Sequence, residues 1–462
     1  MGRQLVVITK SNSDFLFREG RVSAETPPAF DLLEVLSSEG ASLQPVFELS
    51  GVHGDAVPSE IDRSRSDLSR YYRVKAPEEK LEQLAERLRK QNFVEAAFIK
   101  PDAEPAQISV ETENELPASP DLTPRQNYLQ PAPGGVDALF AWTRPGGRGA
   151  GVNIIDIEGA WQFTHEDLGQ NQGGVAGGVP KRDLHWRNHG TAVVGVMSGD
   201  QNAFGVTGIC PDAKVRAISI FDSQGNANSS TAIVQAANML NPGDIILIEL
   251  HRPGPRATGV GQQGFIPIEW WPDDFEAIKF ATNRGIIVVE AGGNGGENLD
   301  DPIYNTPSAG FPSTWTNPFN RNNRDSGAIV IGAGAPPEGT HGHNHGPDRS
   351  RLDFSNYGQI MDAQAWGREV TSTGYGDLQS GTDENKWYTD LFSGTSSASP
   401  IVVGVIACLQ GILRAGGRAL LNPKQARELL RSTGSPQQDA PSRPRTQRIG
   451  TRPDLRQLIS RI

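Results

Sequence analysis

The sequence has few cysteines, no excess of basic residues and no long apolar run. Two cysteines, Cys210 and Cys408, in 462 residues exclude a fold held together by several disulfides and leave one bridge open. The formal net charge of −11 disfavours nonspecific nucleic-acid binding. No stretch approaches the ~20 apolar residues of a membrane span, and the apolar run at residues 5–8 is too short for the core of a signal peptide. We therefore expect a cytoplasmic protein without nucleic-acid or membrane partners; export by a route that needs no signal peptide stays open.

Glycine and proline, in contrast, are abundant. The 52 glycines and 33 prolines predict many tight turns around a regular core, and the 36% of apolar residues is enough to form such a core. A chain of this length is expected to form more than one domain.

The first 105 residues predict a small α+β domain. Apolar runs at residues 5–8, 71–75 and 94–99 predict strands. Between the last two, Pro77 suits the first turn of a helix, and an apolar stripe follows at positions 81, 84, 85 and 88. Residues 106–125 are polar and rich in proline, so they predict an extended, cleavable linker.

From residue 126 to residue 462 the pattern changes to strands that alternate with helices. The predicted strands are mostly continuous apolar runs, at residues 152–155, 215–220, 244–250, 286–289 and 328–331. Such runs are typical of a parallel sheet that helices cover on both faces.

The segment LFSGTSSASPIVVG contains a serine that is well placed for nucleophilic attack. Gly394 permits a tight turn before Ser396, and Pro400 suits the first turn of a helix that continues over residues 401–413. The start of a helix favours negative charge that develops nearby. Ser396 is therefore a candidate nucleophile, although a serine in such a turn is often only a helix cap.

Two further segments supply a base and an acid. His189 lies in RNHGTAVVGVMSG, before an apolar stretch that predicts a helix, and Asp156 ends the buried strand of GVNIIDIEGAW. A buried carboxylate needs a partner, and sites assemble at the carboxyl ends of strands in open α/β sheets. Asp156 is predicted to hold His189 in the productive tautomer. Considered separately, each residue could be purely structural.

A turn of small residues follows the strand at residues 286–289. In IIVVEAGGNGGE, the residues Ala291, Gly292 and Gly293 would let a substrate backbone approach closely, and Asn294 could donate its amide N–H to an oxyanion. Alone, this segment would be only a glycine-rich loop.

Together these segments resemble the subtilisin-like serine protease family (subtilases, peptidase family S8) over about residues 126–458. NHGTAVVGVMSG resembles its histidine motif, AGGN its oxyanion motif and GTSSASP its serine motif, and the order Asp, His, Ser is that of subtilisin. The resemblance implies an α/β, subtilisin-like three-layer sandwich with a central, mostly parallel sheet. It also implies a serine endopeptidase that forms an acyl-enzyme through Asp156, His189 and Ser396, with Asn294 in the oxyanion hole.

The family often carries a small ferredoxin-like propeptide that assists folding and inhibits the active site. The stretch YYRVKAPEEKLEQLAERLRKQNFVEAAFIKP resembles it in pattern. The resemblance implies a zymogen for protein or peptide substrates, whose N-terminal domain is its own inhibitor. Residues 98–107 or the following linker would then pass through the active site and be cut there. A separate binding or regulatory domain is the alternative.

Two places depart from the family pattern. Asp156 is followed by Ile-Glu-Gly, where the family commonly has Thr or Ser and then Gly. The stretch that borders the substrate, often Ser-Leu-Gly, is here Glu249, Leu250 and His251, followed by an insertion at residues 252–270. These three residues and the small residues before Asn294 are the predicted substrate-binding residues. Glu249 either favours basic substrate side chains or faces elsewhere.

A histidine-rich loop, EGTHGHNHGPD, contains His341, His343 and His345. Three histidines could bind a transition metal, but no carboxylate or cysteine at a recognised spacing completes a site, so the prediction is a solvated loop and no metal ligand is assigned. No cofactor is expected for the chemistry. Subtilases often bind structural Ca²⁺, and the loops at residues 164–168 and 200–202 could contribute to such a site.

Two other functions stay open. The altered loop after Asp156 is compatible with a catalytically silent subtilase fold that serves as a binding protein. SGTSSASP would also suit a sedolisin-type acid peptidase. That family uses a Glu-Asp pair in place of histidine and an aspartate in place of the oxyanion asparagine, so His189 and Asn294 count against it.

Overall fold

The computed structural model of the chain describes residues 3–10, 15–18, 21–24, 27–47, 67–106 and 118–462. In these residues the strands are β1 (Gln4–Thr9), β2 (Phe15–Arg18), β3 (Arg21–Ala24), β4 (Ser42–Pro45), β5 (Tyr71–Lys75), β6 (Val94–Lys100), β7 (Glu104–Pro105), β8 (Asn153–Glu158), β9 (Gln172–Gly177), β10 (Lys214–Ser219), β11 (Ile245–Ile248), β12 (Leu250–Pro253), β13 (Phe265–Pro267), β14 (Ile287–Ala291), β15 (Ile329–Gly334), β16 (Met361–Trp366), β17 (Val370–Thr373) and β18 (Tyr388–Phe392). The α-helices are α1 (Pro27–Ser38), α2 (Leu81–Arg89), α3 (Ala138–Trp142), α4 (Leu184–Ser198), α5 (Ser229–Met239), α6 (Pro272–Asn283), α7 (Thr395–Ala415), α8 (Pro423–Ser432) and α9 (Leu455–Ile459).

A seven-stranded parallel sheet forms the centre of the molecule, in the order β16-β15-β14-β11-β8-β10-β9. The five strands predicted from apolar runs are its inner strands, because inner strands are buried on both faces. The two edge strands were not predicted. β9 is rich in glycine and partly exposed, and β16 carries polar side chains, so neither has the expected continuous apolar run.

Helices cover both faces of this sheet, which confirms the predicted three-layer α/β architecture. Helices α4 and α7 lie on one face, and α5 and α6 lie on the other. Helix α7 is long and apolar enough to cross a membrane, but its most apolar part is entirely buried inside the protein. Its burial against α4 and the central strands is that of a core helix.

The N-terminal unit is a four-stranded antiparallel sheet with the order β4-β5-β1-β6. With α1 after β1 and α2 after β5, this order is the βαββαβ arrangement of ferredoxin-like folds. Side chains alternate along β1: Leu5 and Val7 pack with α1 and α2, whereas Val6 and Ile8 pack toward α5 and α6 of the larger unit. Both faces of the small sheet are therefore covered.

The stretch predicted as a linker is partly ordered against the larger unit. Asp121 forms a bridge with Gly205, and the Leu122 N–H donates to the Gly205 carbonyl at 2.8 Å. Residues 107–117, the middle of the predicted linker, lie outside the described residues. The two cysteines, Cys210 and Cys408, are buried and free.

Candidate active site

The candidate residues converge at the carboxyl edge of the central sheet. Asp156 lies near the end of β8, Glu249 directly follows β11, and Asn294 follows β14 by three residues. His189 lies in the second turn of α4, and Ser396 lies in the first turn of α7. Parallel strands end at the same edge, so segments that are far apart in sequence meet there.

Ser396 is held at the start of the longest helix of the described residues. Helix α7 begins at Thr395, six residues before the predicted start, so Ser396 lies inside its first turn and is fully buried. Gly394 precedes it with a φ of 103°, which glycine adopts without strain. The N-terminal end of this helix can stabilise negative charge next to the hydroxyl.

His189 contacts Glu158 and not Asp156. The distance between His189 Nδ1 and Glu158 Oε2 is 2.7 Å, and both side chains are fully buried. The Asp156 carboxyl instead accepts a hydrogen bond from Trp161 Nε1 at 2.7 Å. The predicted contact between Asp156 and His189 is therefore replaced by a contact with Glu158.

The length of β8 explains this difference. The strand runs to Glu158, past the end at residue 155 that the apolar run predicts. Residues two apart on a strand share a face, so Asp156 and Glu158 both point toward α4, and Glu158 is at the strand end that faces His189. The sequence contained one usable signal: Glu158 stands directly before a glycine at the end of the apolar run.

The two carboxyl groups and the imidazole have strongly shifted pKa values. Burial, and then the charge of Glu158, raise the pKa of Asp156 well above its ordinary value. Burial also raises the pKa of Glu158, while a hydrogen bond from Asp156 lowers it. Burial lowers the pKa of His189 to about 3. The imidazole is therefore neutral at neutral pH, and within the carboxyl pair the proton is favoured on Asp156.

Asn294 is fixed with its amide in one orientation. Its Oδ1 accepts from the Thr395 N–H at 2.9 Å, and its Nδ2 donates to Gln262 Oε1 at 3.1 Å. The backbone N–H of Asn294 also donates to His251 Nδ1 at 3.2 Å. The amide N–H group of Asn294 is thus held beside the first turn of α7, as an oxyanion donor requires.

A segment of the chain itself pairs with β12 close to Ser396. β7 pairs antiparallel with β12, so that Pro105 lies opposite Leu250 and Glu104 lies opposite His251. Gln262 Nε2 donates to the Pro105 carbonyl at 2.9 Å. Of the predicted substrate-binding residues, Leu250 and His251 thus do contact a peptide strand, and the insertion supplies Gln262, which the sequence did not indicate.

The Ala106 carbonyl ends this strand at the nucleophile. Its oxygen accepts a long hydrogen bond, 3.4 Å, from the Ser396 N–H. A Cβ at position 394 would lie only 2.1 Å from this oxygen and 3.1 Å from Asn294 Nδ2. Glycine at position 394 is therefore required for the Ala106 carbonyl to approach the Ser396 N–H so closely.

The other predicted substrate-binding residues form hydrogen bonds or strand contacts within the catalytic domain. The fully buried Glu249 accepts from the Ser399 hydroxyl, and burial raises its pKa well above the ordinary value. Glu249 faces α7. This favours the alternative that it faces away from the substrate and does not bind basic substrate side chains. Ala291 ends β14, and the Gly292 and Gly293 N–H groups donate to the Ile331 carbonyl and to Thr395 Oγ1.

The loops considered for calcium use their carboxylates internally. Asp200 accepts from the backbone N–H groups of Gly169 and Gln170, and Asp167 accepts from Val206 N–H and Asn202 Nδ2. A calcium site in these loops stays a prediction.

Comparisons with known proteins show the family of the chain. The model of the subtilase family matches residues 164–450. The chain is 26% identical over 319 residues to an intracellular serine protease of Paenibacillus polymyxa, covering 67% of this chain and 82% of the relative. It is 30% identical over 267 residues to subtilisin BL of Lederbergia lenta, covering 57% and 77%.

Solved structures of serine proteases have a similar fold. The solved structure of an epidermin leader peptide processing serine protease from Staphylococcus aureus superposes with a TM-score of 0.56 at 18% identity, covering 100% of this chain and 98% of that one. The family match begins after β8, so Asp156 and Glu158 lie outside it. With the motifs, the fold and these matches in agreement, the chain belongs to the subtilase family and is a serine endopeptidase.

Proposed function

We propose that Ser396, His189 and Glu158 form the catalytic triad, and that Asp156 is a positioning residue behind Glu158. The 2.7 Å contact between His189 Nδ1 and Glu158 Oε2 is the main support. An acceptor on Nδ1 keeps the hydrogen on that nitrogen and leaves Nε2 free to act as a base. The Asp156 proton, directed at Glu158, limits the charge that is buried there.

In this mechanism the His189 Nε2 removes the proton of Ser396 Oγ as that oxygen attacks the peptide carbonyl. Both atoms are buried and neither has a partner with hydrogen-bond geometry among the described residues, so the proton transfer requires the two side chains to approach each other. Burial raises the pKa of the Glu249 carboxyl, and Ser396 lies close enough for its hydroxyl to lower it. The Ser396 N–H and Asn294 Nδ2 stabilise the oxyanion. His189 then protonates the leaving amine, and water hydrolyses the acyl-enzyme. Subtilases need no cofactor for these steps.

We further propose that the first bond to be cut is the one between Ala106 and Gln107, and that residues 1–106 then remain as an inhibitor. The position of the Ala106 carbonyl at the Ser396 N–H supports the assignment of the bond. The site would accordingly accept a small residue before the cut and a proline before that. The fully buried Ala106 side chain agrees with a small pocket.

The contacts of the N-terminal unit support its role as an inhibitor. Lys100 is fully buried and pairs with Asp273 and with Asp274, the latter at 3.1 Å, both at the start of α6. The rings of Phe98 and Phe311 pack edge to face with their centroids 5.0 Å apart. Release of residues 1–106 would break this buried ion pair and expose the apolar surface that packs around Phe98, so both contacts favour the bound state.

Intact mass spectrometry of the purified chain tests both proposals. After incubation at neutral pH, wild type should give two fragments, residues 1–106 and residues 107–462, while Ser396→Ala should stay whole. Ala106→Arg should block the cut, because the Ala106 side chain is buried. Ala118→Arg is the matched control: it places the same side chain at an exposed position beyond the cut and should be processed like wild type.

The other outcomes separate the alternatives. A cut elsewhere that still requires Ser396 would reject the assigned bond and keep the protease. If wild type stays whole but a fluorophosphonate probe labels Ser396, the propeptide proposal fails and the nucleophile stands. If neither cleavage nor labelling occurs, and casein is not hydrolysed, the proposed triad is rejected in favour of the catalytically silent fold.

A further inference from the structure

The histidine-rich loop is not simply solvated, because it closes over a buried carboxylate. His343 Nδ1 lies 2.9 Å from Glu369 Oε2, and His345 Nε2 lies 2.7 Å from Glu369 Oε1. These three ligand atoms all lie within 4.8 Å of one another. The Glu369 side chain is only 4% exposed. Its distance of 24 residues from His345 explains why the sequence did not suggest a complete site.

A third imidazole points into the same cluster. His341 is 6% exposed at its side chain, and its Nδ1 lies 3.6 Å from Glu369 Oε2. Its Nε2 lies 3.1 Å from the Arg125 carbonyl oxygen. Because a carbonyl can only accept, Nε2 carries the hydrogen, and a neutral ring then has a lone pair on Nδ1. That buried Nδ1 has no hydrogen-bond partner among the described residues.

The backbone brings the three rings to one side of the loop. His341 has a φ of 50° and Gly342 has a φ of 89°, so two consecutive residues in the left-handed region turn the chain back toward Glu369. A regular extended chain would instead place alternate residues on one face with no turn toward the carboxylate. His343 remains 55% exposed, so an ion can enter from solvent.

The charges around the cluster favour binding of a cation. Among the described residues, Glu369 is the carboxylate that both His343 and His345 contact. The neighbouring Asp390 lies 3.7 Å from His341 Nδ1 and is neutralised by an ion pair with Arg125. One carboxylate with three imidazoles is a set of four ligands that suits a tetrahedral Zn²⁺ ion.

We propose that His341 Nδ1, His343 Nδ1, His345 Nε2 and a Glu369 oxygen form a structural Zn²⁺ site. To reach the usual Zn–N and Zn–O distances of about 2.0–2.2 Å, His343 and His345 would move slightly away from Glu369. His341 Nδ1, which is not one of the three atoms within 4.8 Å of one another, would move closer to them. The hydrogen bond from His341 to the Arg125 carbonyl would hold that ring in the tautomer that binds metal through Nδ1.

The site would connect three parts of the catalytic unit. Glu369 directly precedes β17, whose Ser372 and Thr373 hydroxyls donate to carbonyls of α4, the helix that carries His189. Arg125, whose carbonyl contacts His341, is the last residue of the predicted linker. Zn²⁺ would therefore fix the histidine-rich loop to this segment and to the β17 end, without contact with the reacting atoms.

Metal content is the first measurement. The full chain is purified without a polyhistidine tag, dialysed against metal-free buffer containing a weak chelator, and analysed by inductively coupled plasma mass spectrometry. About one Zn²⁺ per chain is expected. Replacement by Co²⁺ should give the visible absorption bands of a tetrahedral Co²⁺ ion.

Variants locate the bound ion. His343→Ala/His345→Ala and Glu369→Gln should each weaken Zn²⁺ binding by at least about 100-fold, since loss of even an outer partner costs about 10–100-fold. Asn344 lies between the two histidines, is exposed and is not one of the proposed ligands. The control variant Asn344→Ala should therefore bind Zn²⁺ like wild type. If Glu369→Gln does not fold, the double histidine variant still tests the site, because His343 is exposed and its replacement should not disturb the fold.

The opposite results would overturn the site. If wild type retains no more Zn²⁺ than the double histidine variant, and added Zn²⁺ does not raise the Tm, the cluster is a group of histidine–carboxylate hydrogen bonds only. If the double histidine variant retains a full equivalent of Zn²⁺, the ion is bound elsewhere and the assignment is wrong. Neither result depends on the proposed triad, since no activity is measured.

Discussion

Two clusters of histidine and carboxylate lie in the catalytic unit, and they differ in stoichiometry and burial. At the end of β8 two carboxyls, Asp156 and Glu158, meet the single imidazole of His189, and all three are fully buried. In the histidine-rich loop three imidazoles surround the one carboxylate of Glu369, and one ring is largely exposed. An excess of buried carboxyls favours an added proton, whereas an excess of imidazole lone pairs favours a cation. The same side chains thus support different chemistry.

The largest expected effect separates Glu158 from Asp156 in the buried cluster. Glu158→Gln should lower kcat by about 10⁴-fold, because an amide beside His189 no longer enforces the productive tautomer. Asp156→Asn should keep kcat within about tenfold, since an amide at this position can still donate to Glu158 and accept from Trp161. The rate of the first cleavage of the full chain, followed by intact mass spectrometry, measures both. A larger loss of rate in Asp156→Asn than in Glu158→Gln would show that Asp156, and not Glu158, is the carboxylate of the triad.

The pH dependence of the first cleavage is the next test. The base form of His189 is present above its pKa, which burial lowers to about 3. A histidine of ordinary pKa would be almost fully protonated at pH 5 and would lose about 30-fold in rate. We expect cleavage of the wild-type chain at pH 5 to keep at least about half of its rate at pH 7, measured by intact mass over time. A 30-fold loss would show that burial does not protect the base.

The pH dependence of the Tm tests whether Asp156 is protonated in the folded protein. The folded-state pKa of Asp156 is raised above the unfolded value, so its stabilising contribution is complete below about pH 4 and is lost as the pH rises toward the folded value. Asn at this position has no proton to lose. The Tm of Asp156→Asn relative to wild type should therefore increase by at least about 2 °C between pH 4 and pH 8. An unchanged difference would argue that Asp156 is ionised in the folded protein.

The smallest effect concerns the loop cluster and catalysis. A zinc-selective chelator should lower the Tm of wild type, because an ion that binds only the folded state stabilises it. It should leave kcat at 25 °C within about twofold, since Glu369 does not contact the reacting residues. The double variant His343→Ala/His345→Ala serves as the control and should not respond to the chelator. A large loss of kcat in wild type alone would show that the loop controls the active site.

Most of the fold and part of the site could be predicted from local sequence. Continuous apolar runs marked the inner strands, and the motifs around His189, Asn294 and Ser396 indicated three residues that the structure places at the same edge of the sheet. The edge strands β9 and β16 were missed because an edge strand need not be apolar on both faces. In the structure His189 contacts Glu158 and not Asp156, because β8 continues two residues past Asp156, which the apolar run did not indicate.

The sequence by itself determined the family and the inner strands of the sheet, and it indicated the proposed nucleophile and base, because these depend on periodicity and on motifs within short segments. Only the tertiary structure decided which carboxylate reaches His189, which bond of the chain lies at Ser396, and that Glu369 completes the histidine cluster. Each of these is a contact between segments far apart in the chain. Such contacts depend on where strands end and how loops turn, over distances of a few ångströms that no local pattern specifies.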